Sequence, residues 1–245
     1  MSFVIYPAID LRAGKVVRLK EGDPARLTAY SDDPAETAHR WLEAGARWLH
    51  VVNLDGAFGE SDMVNHAALQ NILQVAKLFH ASVQFGGGIR SLNAVESALA
   101  LGVSRVVLGT IAIEDPAVVA DSLYRFSMER IAVGIDARDG LVRVRGWKDD
   151  SGISADALAL RMRTLGMRTV IFTDVSRDGL GSGLNIAATR RLADMSGLDV
   201  IASGGVHTLE DVIAAKEANL AGVIIGRALY EGTIDLKQAL ESKAS

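Results

Sequence analysis

Short apolar runs alternate along the chain with longer stretches whose apolar positions recur at helical spacing. Residues 3–9, 48–52, 83–85, 105–108, 131–135, 169–172, 200–202 and 222–225 read as eight strands. Each is apolar at nearly every position rather than at every second one, which is the mark of strands covered on both faces. Helices are predicted between them. Asp33-Pro34 starts the first, with Ala38, Trp41, Leu42 and Gly45 along one face. Others cover about 65–79, from a Ser91 cap onward, from Asp115-Pro116 onward, 154–165, 186–196, 209–218 and 234–242. Strands alternating with helices pair in parallel, and eight such units in 245 residues predict a single α/β domain, a (β/α)8 TIM barrel. Two connections are too long to be simple turns. Residues 11–33 are polar with a hairpin arm expected at 15–19, and residues 141–147 form a second expected arm.

The chain repeats itself. Val83 to Gly109 recurs 117 residues later as Val200 to Gly226, without a gap: Gly87 matches Gly204, Gly88 matches Gly205, and Leu92, Val95 and Ala98 match Leu209, Val212 and Ala215. Asp10-Leu11-Arg12-Ala13-Gly14 has its counterpart in Asp136-Ala137-Arg138-Asp139-Gly140, and the stretch 45–54 in 166–175. A unit repeated at half the chain length predicts two half-barrels, approximately 1–125 and 126–245.

The repeat directs attention to chemistry. A glycine turn between a strand and a helix lets backbone N–H groups approach an anion, and the helix dipole favours negative charge there. Gly86, Gly87, Gly88, Gly109 and Thr110 form one such candidate phosphate site; Ser203, Gly204, Gly205, Gly226 and Arg227 form the other. Tight turning alone would also explain any one Gly-Gly pair, but two matched units favour anion binding. Asp10 and Asp136 are repeat counterparts at the ends of strands one and five, on opposite sides of a barrel mouth. Asp178 follows strand six in Arg-Asp-Gly, where it could also be a turn residue. Opposed carboxylates suit a general base and a general acid, provided burial or a neighbouring carboxylate raises the acid's pKa. His50 is expected inside the mouth. Trp147 either stacks on a flat ring or packs its arm down; Arg18 either clamps an anion or is a solvated charge.

Composition narrows the partners. A net charge of −4 offers no general attraction to nucleic acid or an anionic membrane. There is no cysteine, and the five histidines show no ligand spacing, so no metal is expected. No stretch resembles a signal peptide or membrane span, which leads to the expectation of a cytoplasmic monomer. Neither a Walker A loop nor G-x-G-x-x-G is present, so no nucleotide cofactor is expected.

Pro7-Ala8-Ile9-Asp10-Leu11, Gly14-Lys15-Val16-Val17-Arg18-Leu19, Gly86-Gly87-Gly88-Ile89-Arg90, Arg145-Gly146-Trp147, Thr173 to Gly179 and Ala202-Ser203-Gly204-Gly205-Val206, in this order, resemble the HisA family, the phosphoribosylformimino-5-aminoimidazole carboxamide ribotide isomerases of histidine biosynthesis. The resemblance spans essentially the whole chain. It implies a cofactor-free Amadori rearrangement of a small substrate with two phosphates. It further implies Asp10 as base, Asp136 or Asp178 as acid, Thr173 on the opening sugar, Trp147 on the aminoimidazole and Arg18 orienting the substrate. One position departs, since the family carries Asp where this chain has Asn53; the amide lacks the charge, so no acid–base role is expected there. Three other readings stay open: the sister cyclase HisF, expected to carry a lysine in place of Arg18; an isomerase that also accepts phosphoribosylanthranilate, which tends to have Ser in place of Gly86; and a non-catalytic phosphosugar-binding barrel.

Overall fold

A computed structural model describes residues 3–242, so the expected domain limits at 1 and 245 fall outside the described residues. The eight barrel strands are Val4–Arg12, Trp48–Asn53, Ser82–Gly86, Arg105–Leu108, Ile131–Arg138, Thr169–Asp174, Asp199–Ser203 and Gly222–Ile225. Each pairs in parallel with the next. The eighth pairs with the first, Val4 opposite Gly222 and Pro7 opposite Ile225, and this closes the cylinder into a (β/α)8 barrel. Strands one and five therefore face each other across it.

Local chemistry starts the helices where the sequence places them. Asp33 accepts from the N–H groups of Ala35 and Glu36, with Pro34 in the first turn. Ser91, Asp115, Ser154 and Asn185 cap later helices in the same way. Ile186–Ser196 has the predicted limits. The last helix is shorter than predicted, Leu236–Glu241, because the Asp235 side chain caps it from Gln238. Most of the apolar core lies between barrel and helices. A smaller cluster of Tyr6, Ala8, Val107, Ala132, Ile171, Ile201 and Ile224 fills the barrel interior.

Three features go beyond the sequence reading. Barrel strand one runs on to Arg12 and turns into a two-stranded arm, Lys15–Lys20 and Asp23–Ser31. The outer strand of that arm escaped prediction because none of its positions is buried. The second arm likewise gains a return strand, Leu141–Val144 pairing with Asp149–Ser154. Short extra helices, Ile111–Glu114 and Arg227–Tyr230, follow strands four and eight at matched places in the two halves. The first arm is pinned to the second of these by Tyr30 stacked on Tyr230, ring centroids 4.7 Å apart.

Candidate active site

A cavity of about 210 Å³ opens at the strand C-terminal end of the barrel. Typical ligand pockets start near 300 Å³. This one is smaller because both arms lean into it. Asp10, Arg18, His50, Asp136, Trp147, Thr173, Asp178 and Ser203 line it, with Gly86, Gly87, Gly88, Gly109 and Thr110.

Arg18 sits between two of the carboxylates. Its Nη1 donates to Asp10 Oδ2 at 2.7 Å, and its Nη2 lies 3.6 Å from Asp178 Oδ1. Asp10 belongs to barrel strand one and Arg18 to the adjoining arm strand, one position past the Asp10↔Val17 pair. Burial raises the Asp10 carboxyl to about 6; Arg18 opposes the rise and Asp178 adds to it. Burial also raises Asp178, again opposed by Arg18. Asp136 is raised by burial, while hydrogen bonds from Trp147 and Thr173 hold it down. Thr173 stands directly opposite Asp136 in the strand register, and Trp147 Nε1 donates to Asp136 Oδ2 at 2.8 Å. The six-membered ring of Trp147 rests on Gly22 at the tip of the first arm, where a Cβ would overlap it.

The two glycine units are not used alike. In both, left-handed glycines are required by packing: a side chain on Gly87 would strike the Asn53 backbone, and one on Gly204 the Asp174 backbone. Asn53 and Asp174 are themselves repeat counterparts. Gly109 is different, since a Cβ there would meet nothing within 4 Å. Its bareness keeps space open in the cavity rather than relieving the chain. Thr110 beside it accepts from Arg145 N–H at 2.9 Å, so the second arm rests on this corner. At the matched Gly226 the same space is taken by the Arg18 guanidinium. Of the second unit's candidate phosphate residues only Ser203 reaches the cavity wall. Arg227 turns away, its Nη1 donating to Gly179 O at 2.8 Å and its Nε to Glu231 at 2.7 Å.

Sequence reasoning passed over Arg90, Arg143 and Arg145, all on the cavity wall. Arg90 was visible at the end of Gly-Gly-Gly-Ile-Arg; the arm arginines carried no signal until the arm was folded inward. Asn53, expected to lack an acid–base role, is a scaffold residue in the fold. Its Oδ1 accepts from Gly56 N–H and from Asn65, and its Nδ2 donates to Asp62 at 2.7 Å.

Fold and cavity thus define a (β/α)8 barrel with three partly buried carboxylates and a bare glycine corner at the mouth of one cylinder. A family model described as histidine biosynthesis protein matches residues 4–235, and the chain belongs to that family. Similar proteins from Syntrophobacter fumaroxidans, Symbiobacterium thermophilum and Sphingopyxis alaskensis are each named 1-(5-phosphoribosyl)-5-((5-phosphoribosylamino)methylideneamino) imidazole-4-carboxamide isomerase. The first is 48% identical over 97% of this chain and 92% of its own length. The second is 49% identical over 98% and 96%. The third is 49% identical over 100% and 99%.

Proposed function

We propose that this protein is an aldose–ketose isomerase of histidine biosynthesis, converting a bisphosphorylated aminoaldose to the aminoketose without a cofactor. The observation that carries the reading is the placing of Asp10, Asp136 and Asp178 in one cavity, all with raised pKa. Relatives named for isomerising a molecule with two phosphoribosyl groups supply the substrate class.

The chemistry needs one acid and one base. The acid protonates the ribose ring oxygen; as the C1′–O bond breaks, the amine lone pair closes a C=N bond. Asp10 then takes the C2′ proton. The electrons of that bond form C1′=C2′, and the C=N pair returns to nitrogen. The enol hydroxyl finally gives up its proton as C1′ gains one, leaving a ketone at C2′. Two donors stabilise Asp136 as a carboxylate, whereas Asp178 has only Arg18 at 3.6 Å. Asp178 is therefore the better proton donor of the two.

One phosphate is assigned to Gly87, Gly88, Gly109 and Thr110, with Arg90 and Arg145 nearby; Gly86 shapes the floor. The other is assigned to Ser203, Gly204, Gly205 and Gly226, where Arg18 must yield space and Arg227 supports the loop. Trp147 faces the heterocycle and Thr173 the sugar. We read the chain as one domain of two half-barrels, about 1–125 and 126–245, a monomer in the cytoplasm; among the described residues no helix is long and apolar enough to cross a membrane.

The test is a spectrophotometric assay with the aminoaldose. Asp10→Asn should lose about 10²–10⁴ in turnover while still binding the substrate, the usual weight of a general base. Wild-type protein that binds the phosphosugar without converting it would leave a non-catalytic barrel. Full activity in both Asp136→Asn and Asp178→Asn would remove both from the acid role.

A further inference from the structure

Inside the barrel, His50, Gln84 and Arg105 form a polar row across strands two, three and four. The register pairs His50 with Gln84 and Gln84 with Arg105, and residues directly paired in parallel strands point to the same face. Gln84 is wholly buried. Its amide lies 2.9 Å from His50 Nδ1, and its Oε1 accepts from Arg105 Nη1 at 3.1 Å. Arg105 is fixed in turn by Glu129 O and by the face of Trp48, 4.6 Å from the ring centroid.

The direction of these bonds is forced. A guanidinium only donates, so the Gln84 oxygen must face Arg105. The Gln84 NH₂ group therefore faces His50, and it too only donates. His50 Nδ1 must then accept, which leaves the ring neutral with its proton on Nε2. The ring lines the cavity. Burial, reinforced by the Arg18 charge, pushes His50 down to about 3, in keeping with a neutral ring.

The internal repeat shows that the fold does not need this row. The counterparts of His50, Gln84 and Arg105 in the second half are Ile171, Ile201 and Gly222. They occupy the same register, Ile171 opposite Ile201 and Ile201 opposite Gly222. There the interior is apolar, with Ile171 and Ile201 in the central cluster. Buried polar side chains cost free energy to desolvate, and apolar residues serve the same architecture across the barrel. The polar row is retained in one half only, beneath Arg18 and the carboxylates.

We propose that Gln84 and Arg105 are positioning residues that hold His50 in the Nε2–H tautomer, so that it presents a neutral hydrogen-bond donor to a sugar oxygen of the substrate. This rests on the isomerase reading for its substrate but not for the tautomer. A neutral donor can sit beside Arg18 without charge repulsion and can follow an oxygen that gains negative character as the enol forms. A histidine with the opposite tautomer would offer only a lone pair there.

The decisive variant is Gln84→Glu. It keeps the shape and the bond to Arg105, but its carboxylate can only accept, so it draws a proton onto His50 Nδ1. Long-range ¹H–¹⁵N spectra of histidine-labelled protein at neutral pH should show wild-type His50 protonated on Nε2 alone. Gln84→Glu should show the proton moved to Nδ1, or both nitrogens protonated. With the aminoaldose, its kcat should fall roughly tenfold or more, as for loss of a preorganised donor, with KM changed much less. Gln84→Met, which frees the ring without reversing it, should show mixed tautomers and a smaller loss. Wild-type His50 protonated on Nδ1 would overturn the relay. So would Gln84→Glu with the proton moved and kcat unchanged. Wild-type protein without turnover would instead strike the isomerase reading, and the nitrogen spectra would still decide the tautomer.

Discussion

Burial and the Asp178 carboxylate push the Asp10 carboxyl up, Arg18 pulls it down, and burial wins. Its carboxyl stands at about 6, above the 3.8 of a free aspartate. As the proposed base it must be ionised, so kcat/KM should fall about tenfold per unit below pH 6, and fall again on the alkaline side once the carboxylic acid loses its proton, a bell-shaped profile. Stability has the opposite dependence. Between 3.8 and 6 the folded state binds this proton and the unfolded chain does not, so wild type gains from Asp10 as pH falls through that window. Above pH 6 the buried charge is a cost that Asp10→Asn removes. Arg18 loses a partner in that variant, which offsets part of the gain. Thermal unfolding should therefore place Asp10→Asn about 1 kcal/mol above wild type at pH 8, some 2–4 °C, with the difference vanishing near pH 4. A variant less stable than wild type at pH 8 would mean that the Arg18 pairing outweighs burial.

The two arms act at the next scale. Their tips meet where Trp147 lies on Gly22, and the second tip holds Arg145, Gly146 and Trp147 in succession at positive φ, 54°, 66° and 68°. Two of these are not glycine, so the tip stores strain of about 1–3 kcal/mol per residue. Trp147 to Asp136, Arg145 N–H to Thr110 and Arg145 to Glu114 hold it in place. Each of these anchors is a residue of the proposed site or its rim, which ties arm position to the cavity. Gly22→Ala would put a methyl group inside the Trp147 ring and strain a backbone at φ 74°. Steady-state kinetics should show kcat/KM lowered about tenfold, because Trp147 can no longer reach Asp136 while the first arm is closed. Unfolding should show a loss of only about 1 kcal/mol, typical of alanine at a left-handed glycine. Unchanged kcat/KM would detach the arm contact from catalysis.

Across the whole molecule the halves share a plan and differ in chosen places. Asn53 and Asp174 carry the backbones on which Gly87 and Gly204 pack, and each bonds a matched asparagine: Asn65 Nδ2 to Asn53 at 2.8 Å and Asn185 Nδ2 to Asp174 at 2.7 Å. The first half alone adds Asp62, which accepts from Asn53 Nδ2 at 2.7 Å. An aspartate at 53 would set two carboxylates together. Asn53→Asp should therefore lose about 1–3 kcal/mol, the cost of leaving a buried acceptor unpaired. The loss should grow as pH rises above the ordinary carboxylate range near 4. Asp62→Asn in the same chain should restore most of it, because the amide can then donate to the new carboxylate. Chemical denaturation of the single and double variants at pH 5 and 8 checks this; equal losses at both pH values would remove the charge explanation.

Much of the plan could be read from one dimension. Apolar runs, helix caps such as Asp33 and Ser154, and the repeat of Val83 to Gly109 depend on residues close in the chain. They gave the eight units, the barrel and the carboxylates at strand ends. The outer arm strand at Asp23–Ser31 lacked a signal because none of its positions is fully buried. The bare corner at Gly109, the Arg18 guanidinium over Gly226, and the row of His50, Gln84 and Arg105 were invisible for a different reason. Sequence alone determined the eight barrel strands, the main helices between them and that they come in two like halves, since propensity and burial pattern are local. Tertiary structure decided which counterparts stay equivalent and which diverge, because that depends on strand register and on side chains arriving from distant segments to fill, or leave open, the same space.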